Sequence, residues 1–537
     1  MGSDIPRYHG NGCTMVFMEI IPAFHGNSRV GLVPYRLASF SCLSFLVICK
    51  NLLDQGKRNM EMSRGIVQLA IVLVFMAVAL SIGLKGSRLV KREPEDYFLA
   101  GRSLGTLVLL LTMFATLMSA FTFFGGPGQV YSTGMEWLLV MGIMDGFLVA
   151  VLWYLIGSRQ WKLGQKHHYM TLGEMLEGRF GSCFLRVVVS LVSLFWLFPY
   201  LMLQQMGGGY ALAGLTRGVI PYAVGAGLIT VFMIVYVVIG GMRAVVRTDV
   251  FQGLFMLVAI WLALIFIGRG VGSPTVVASK ILSEAKRVFT LGEPWTPQMM
   301  WSAAISTALG VICFPQINQR FFTAKSERVL QKSFILWPLL CLLLFFPAFL
   351  IGAWGVVIVP GLEKPDTVLS VMLDRYTPFW FSALVVSGAM AAMMSSSDSM
   401  LLSASSYLTH DIYKRVLNTQ ASSEKEEMVG RLVVAVFAVM TYLVSLLQPG
   451  SLVGIGLVAF GGFAQLTPLL LVSLYWKRTT TAGMVTALIA SEGFYMGSKF
   501  IPGIPTSYWG WDSSMIAIVI GTGLVLLVSS FGSRAQN

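Results

Sequence analysis

Apolar residues in this chain come in long unbroken blocks. They do not show the alternation of a half-buried strand or the three-and-four spacing of an amphipathic helix. Thirteen blocks, bounded by charge or by Gly and Pro, lie near 65–84, 104–124, 136–157, 186–214, 219–240, 251–269, 301–319, 335–359, 379–409, 430–447, 452–476, 481–498 and 514–531. Each suits a helix crossing about 30 Å of hydrocarbon, which takes about 20 residues. The pattern predicts an all-α integral membrane protein with about thirteen transmembrane helices. A soluble enzyme with buried helices does not fit, because runs of this length cannot be solvated. Composition agrees, with 56% of the 537 residues hydrophobic and 12% charged, against about 25% charged in a soluble domain.

Lys and Arg are unevenly divided between alternate connections. The connections 85–103, 158–186, 241–250, 319–334, 410–431 and 477–480, with the C-terminal tail, hold 23; the other set holds 8. Positive charge stays cytoplasmic, so the first set is expected inside. That orients a multi-pass protein of the plasma (inner) membrane with its N-terminus outside and its C-terminus cytoplasmic. Orientation also accounts for the net charge of +13 without nucleic acid. Residues 1–64 run against the pattern, carrying seven basic residues on the outer side, just before Asn59-Met60-Glu61-Met62-Ser63 leads into the first span. Translation is therefore expected to start at Met60 or Met62, with 1–61 an extension from a mis-annotated start.

The second to eleventh spans form two units of five, 104–270 and 301–476, within a ten-helix core over 104–476. An odd number of crossings inverts the second unit relative to the first. Residues 62–103 supply an accessory span and loop, and 477–537 supply two accessory spans and a short tail. In such inverted repeats the first helix of each unit is broken at the midplane. Thr112-Met113-Phe114-Ala115-Thr116-Leu117-Met118-Ser119-Ala120, leading into Gly125-Gly126-Pro127-Gly128, suits that role. So does the seventh span, with Gly310 and Pro315 followed by Gln316 and Asn318.

The ninth span carries the strongest chemistry. On a helix, Ala392, Ser395, Ser396, Ser399 and Ser403 form one small, hydroxyl-bearing stripe. Close helix packing would explain part of it. It does not explain Asp398 at the stripe's edge, since an acid at mid-membrane costs about 2.5–3.5 kcal/mol. Hydroxyls and freed carbonyls are oxygens suited to a small hard cation. The six cysteines have no paired spacing and the five histidines lie outside the apolar cores. No nucleophile–base pair or metal cluster suggests an enzyme.

Several segments, in order, make the chain resemble the sodium:solute symporter family from about residue 65 to 531. They are Tyr97-Phe98-Leu99-Ala100-Gly101-Arg102-Ser103-Leu104-Gly105, Ser119-Ala120, Gly125-Gly126-Pro127-Gly128, Thr171-Leu172-Gly173-Glu174 with Arg179-Phe180, Gly240-Gly241-Met242-Arg243-Ala244-Val245 with Thr248-Asp249, Pro315-Gln316 with Arg320-Phe321, the ninth-span serines, and Asp411-Ile412-Tyr413. The resemblance implies a LeuT-like five-plus-five core and sodium as co-transported ion, not a bound cofactor. It implies a sodium site of the Ala115, Met118 and Ala392 carbonyls with the Ser395 and Ser396 hydroxyls, and Asp249 on sodium's route to the cytoplasm. A local alternative pairs Asp249 with Arg243 or Arg247.

The implied activity is symport of a small organic solute into the cell, with the lipid bilayer as surroundings and no obligatory protein partner evident. Ser119, Thr122, Tyr200, Gln204 and Thr307 are the solute-site candidates, each with helix packing as its alternative. Asp145 departs from the small neutral residues of the family at that place. Burial in protonated form is the first reading for it; substrate-amine binding, a second cation or proton coupling are the others. Asp398 and Asp145 thus stand as possible coupling acids. Likeness around Gly125–Gly128 and Ala459-Phe460-Gly461-Gly462 leans towards pantothenate and monocarboxylate carriers, with proline or another amino acid next. A proton-coupled transporter, a transporter-like sensor and a channel are the rival classes.

Overall fold

A helix can cross lipid because all its backbone hydrogen bonds are internal, and the thirteen apolar blocks all fold as helices. The structure is a computed structural model that describes residues 42–87 and 99–532. Most of the 1–61 extension, and Tyr97-Phe98, lie outside the described residues. The helices are α1 (Asn59–Lys85), α2 (Thr106–Leu117) with α3 (Phe121–Thr133), α4 (Leu138–His167), α5 (Cys183–Leu215), α6 (Tyr222–Val238), α7 (Met242–Val271), and α8 (Pro297–Cys313) with α9 (Pro315–Thr323). Then follow α10 (Glu327–Ile358), α11 (Phe379–Leu417), α12 (Glu424–Ser445), α13 (Leu452–Tyr475), α14 (Thr481–Phe500) and α15 (Ser513–Phe531). A two-residue-per-strand hairpin, Ser507–Tyr508 with Trp511–Asp512, precedes α15.

Among the described residues, nine of these helices are apolar and long enough to span alone, and the two bent pairs bring the number to 11. The remaining expected spans are α6, with 17 residues, and α14, whose 20 residues include Glu492 and Lys499. The bent pairs are α2–α3, at 64°, and α8–α9, at 57°. Each opens one five-span unit, as an inverted repeat requires.

One expectation needs correcting. The 241–250 connection is not a loop, because helix runs through it from Tyr222 to Val271. Two basic residues counted as loop charges, Arg186 and Arg320, are buried inside the bundle. Removing them leaves the charge asymmetry in place.

Burial orders the bundle. Among the nine single-helix spans α11 is the most enclosed, with 83% of its most apolar window buried, against 28% for α12 and for α15. The reason is its serines and acid, which lipid cannot solvate, so the helix sits at the centre with apolar neighbours outside it.

The Gly125–Gly128 run is not the break in the second span. α3 continues helically through it, and its glycines serve close packing instead. A Cβ on Gly126 would meet the Phe349 ring at 2.1 Å, and one on Gly128 the Asp366 backbone nitrogen at 2.8 Å. Asp366 lies in the connection between α10 and α11, where its carboxylate accepts the Leu452 N–H at 3.1 Å. Burial pushes its pKa up to about 6. A raised carboxyl favours folding while protonated, and that contribution is lost as pH rises through 6. Asp366→Asn should therefore raise the melting temperature above pH 6, by up to about 3 kcal/mol in stability. The gain should vanish below pH 4; melting curves of purified protein across that range test it.

Candidate functional site

The two broken spans break for different reasons. In α8–α9 the cause is covalent: Pro315 has no N–H to give the preceding turn, and Phe314 before it is held out of the helical region at φ −58°, ψ 124°. The Asn318 side chain bridges the break, donating to Ile312 O at 2.7 Å and Phe314 O at 3.1 Å, and is itself fixed by Gln160 at 2.7 Å. Gly310, one turn earlier, lets α13 approach, since a Cβ there would meet Phe460 O at 2.4 Å.

In α2–α3 neither Gly nor Pro stands at the break, which falls at residues 118–120. Neighbouring side chains hold it open. The Ala120 N–H donates to Gln204 Oε1 at 3.0 Å, and the Phe121 N–H to Ser119 Oγ at 3.2 Å. These amides would otherwise continue the helix to the carbonyls of Thr116 and Leu117. From α11, the Ser396 hydroxyl lies 2.9 Å from Thr116 O and 3.0 Å from Met118 O. Met118 itself is extended, at φ −74°, ψ 123°.

The serine stripe of α11 faces this break. Ser395 Oγ donates to Asp249 Oδ1 at 2.6 Å, and Asp249 also receives the Thr112 hydroxyl from α2. Its partner cation among the described ion pairs is Arg320 of α9, at 3.1 Å, with both side chains wholly buried, where the sequence had offered Arg243 or Arg247. Arg320 donates as well to Ser399 at 2.6 Å, and Ser399 lies 3.2 Å from the Thr116 hydroxyl. Ser403 reaches Gln319 at 2.7 Å. Ala392 is fully buried on the same helix. Four helices, α2, α7, α9 and α11, are thus tied by one polar network around the predicted cation residues. Ala115 is buried in α2, one residue before the Thr116 carbonyl that Ser396 touches. Asp398 is buried on α11, close enough to Asp249 and Tyr236 to interact electrostatically.

Of the five solute candidates, Thr122, Tyr200 and Thr307 line one cavity with Asp145. Ser119 stands behind it, 3.3 Å from the Tyr200 hydroxyl. Gln204 is used differently, its amide spent on Ala120 N–H and on Tyr200 O at 3.2 Å. The cavity is about 30 Å³, far below the 300 Å³ or so of a small-molecule pocket, so its walls must part to admit a solute. A larger groove of about 1170 Å³ lies between α5, α12, α13 and α14. Its walls are almost wholly apolar and include none of these residues.

Sequence reasoning undervalued Arg320, treating it as a loop charge. The signal was its neighbourhood, since Arg320-Phe321-Phe322 places a cation in an apolar setting where it needs an acid. Gln316, fully buried with no protein partner for either amide atom among the described residues, was noted only as following Pro315. The Thr171–Glu174 and Asp411–Tyr413 segments also meet: Asp411 accepts from Thr171 at 2.9 Å, Arg186 at 2.7 Å and Ser190 at 2.7 Å.

Breaking a buried ion pair by removing one member leaves an uncompensated charge. Arg320→Gln should destabilise the protein by about 3–5 kcal/mol, and Asp249→Asn combined with it should restore part of the loss. Thermal melts of the single and double variants in detergent read this out. Additive losses would mean the pair is not coupled.

Comparison with known proteins completes the description. The model of the sodium:solute symporter family matches residues 97–491. The sodium/pantothenate symporter of Escherichia coli (strain K12) is 27% identical over 482 residues, covering 87% of this chain and 97% of the relative. The sodium/proline symporter of Staphylococcus aureus (strain JH9) is 28% identical over 443 residues, covering 78% and 83%. Among solved structures, a substrate-bound, outward-open Na+-coupled sialic acid symporter superposes with a TM-score of 0.74 at 21% identity, covering 88% of this chain and 99% of its own. Its fold is the LeuT-like architecture that the family resemblance implied. A family match over most of the chain, with the same fold, makes this multi-pass membrane protein a member of the sodium:solute symporter family, a transporter that couples sodium to a small organic solute.

Proposed function

We propose that sodium is held where α2 breaks against α11, by the carbonyls of Ala115, Met118 and Ala392 and the hydroxyls of Ser395 and Ser396. The observation that carries this is the approach of Ser396 Oγ to two main-chain carbonyls across the break. The Ser396 hydroxyl and the Thr116 and Met118 carbonyls meet in the buried interior, where no lipid or bulk water competes for them. Sodium released from this cage meets Asp249 next, because Ser395 already touches that carboxylate. Arg320 holds Asp249 in reserve as a charged acceptor, and the network offers the ion a stepwise path towards the basic, cytoplasmic ends of the helices. The protein works in the plasma membrane with its C-terminus inside, the orientation that the basic connections support.

The solute binds beside the ion, against Thr122, Tyr200 and Thr307. Ser119 couples the two sites, since it belongs to the broken segment and touches Tyr200. Alternating access requires this cavity to widen towards one side of the membrane at a time. One charge crossing about 100 mV gains about 2.3 kcal/mol, and a tenfold sodium gradient adds about 1.4 kcal/mol. One sodium therefore concentrates a neutral or zwitterionic solute by about 500-fold.

Ser395→Ala and Ser396→Ala should each raise the sodium concentration for half-maximal uptake by about tenfold. Solute affinity at saturating sodium should change far less. Uptake by proteoliposomes under an inward sodium gradient measures both, and equal loss of the two would reject the assignment.

A further inference from the structure

Among the described residues lining the solute cavity Asp145 is the one carboxylate, and it is 6% exposed in the first third of α4. Its Oδ1 has no hydrogen-bond partner among the described residues. A buried acid without a partner is costly in lipid and marks a functional site. What surrounds it decides the kind of partner. Phe121, Trp337, Phe345 and Phe460 line the same cavity, and aromatic faces attract cations that have shed water.

A second sodium ion is poorly served here, because it needs several oxygens. The remaining hydroxyls are partly committed, Tyr200 to Ser119 and Thr122 to the Met118 sulfur at 3.7 Å. A cationic group seated beside Asp145 favours the carboxylate over the buried protonated form, and that carboxylate repels a plain organic anion. Two polar groups on the cavity lack protein partners among the described residues, Thr307 Oγ1 and Trp337 Nε1; both can donate to an acceptor oxygen.

We infer that the transported solute carries a cationic nitrogen, seated between Asp145 and the aromatic walls, and an acceptor oxygen for Thr307 or Trp337. This narrows the solute class of the symport reading above and rests on it. It displaces the plain organic acid favoured from sequence. A zwitterion fits both ends and moves with one sodium as a single net charge.

The test is uptake into proteoliposomes of the full-length protein under an inward sodium gradient. The labelled probes are L-proline, glycine betaine and choline on one side and pantothenate and lactate on the other. Uptake is expected from the first group only. Asp145→Asn should weaken its half-saturation by about 30-fold or more and leave radioactive sodium binding in the absence of solute unchanged. Uptake of pantothenate or lactate that the nitrogen cations fail to inhibit overturns the inference. Loss of sodium binding in Asp145→Asn also overturns it, by assigning the acid to a second ion. The wild-type panel decides even if the variant does not fold. Uptake of the nitrogen cations that ignores sodium would instead defeat the symport reading and leave this one standing.

Discussion

Hydrocarbon offers no hydrogen bonds, so a spanning helix can be interrupted only where protein groups take over its backbone. In α2–α3 that exchange is nearly complete. Gln204 and Ser119 take the amides of Ala120 and Phe121, and Ser396 takes the carbonyls of Thr116 and Met118. The break is thus a tertiary structure, assembled from α2, α5 and α11. Because α5 and α11 hold it open, any shift of either helix changes the geometry of the carbonyls. A cation that adds its own bonds to these oxygens favours one arrangement of the three helices over others. In the proposed sodium site this would link ion binding to movement of the bundle.

The Asp249–Arg320 pair extends the link to the second broken span. Arg320 is in α9, just past the Pro315 break, and Asp249 is in α7. Through Ser395, Ser399 and Thr112 the pair touches α11 and α2. The two inverted units are joined by charge at the depth where their first helices are broken. Neither member can leave without stranding the other, which holds the two breaks in register.

Much of this was legible in the chain. Apolar blocks gave every span, because lipid imposes a length that soluble folding does not. Offsets of three and four on α11 gave the serine stripe, because helical period is fixed by backbone geometry. The break in α8–α9 could be read from Pro315. The break in α2–α3 could be read only to its neighbourhood, since Gln204 and Ser396 impose it from 84 and 278 positions away. Gly125–Gly128 drew attention as helix breakers, yet they pack against Phe349 and Asp366. Arg320 looked like a loop charge because position between two spans says nothing about depth. Asp145 stood out at once as an acid in an apolar run, but only the surrounding rings say what could neutralise it.

In the proposed arrangement one ion and one solute share the helix break and so bind interdependently. Equilibrium binding on the purified protein tests it, with solute affinity measured against sodium and sodium affinity against solute. Linkage requires the two enhancements to be the same factor, and a shared break predicts that factor to be well above one. Solute affinity that is indifferent to sodium would contradict the account.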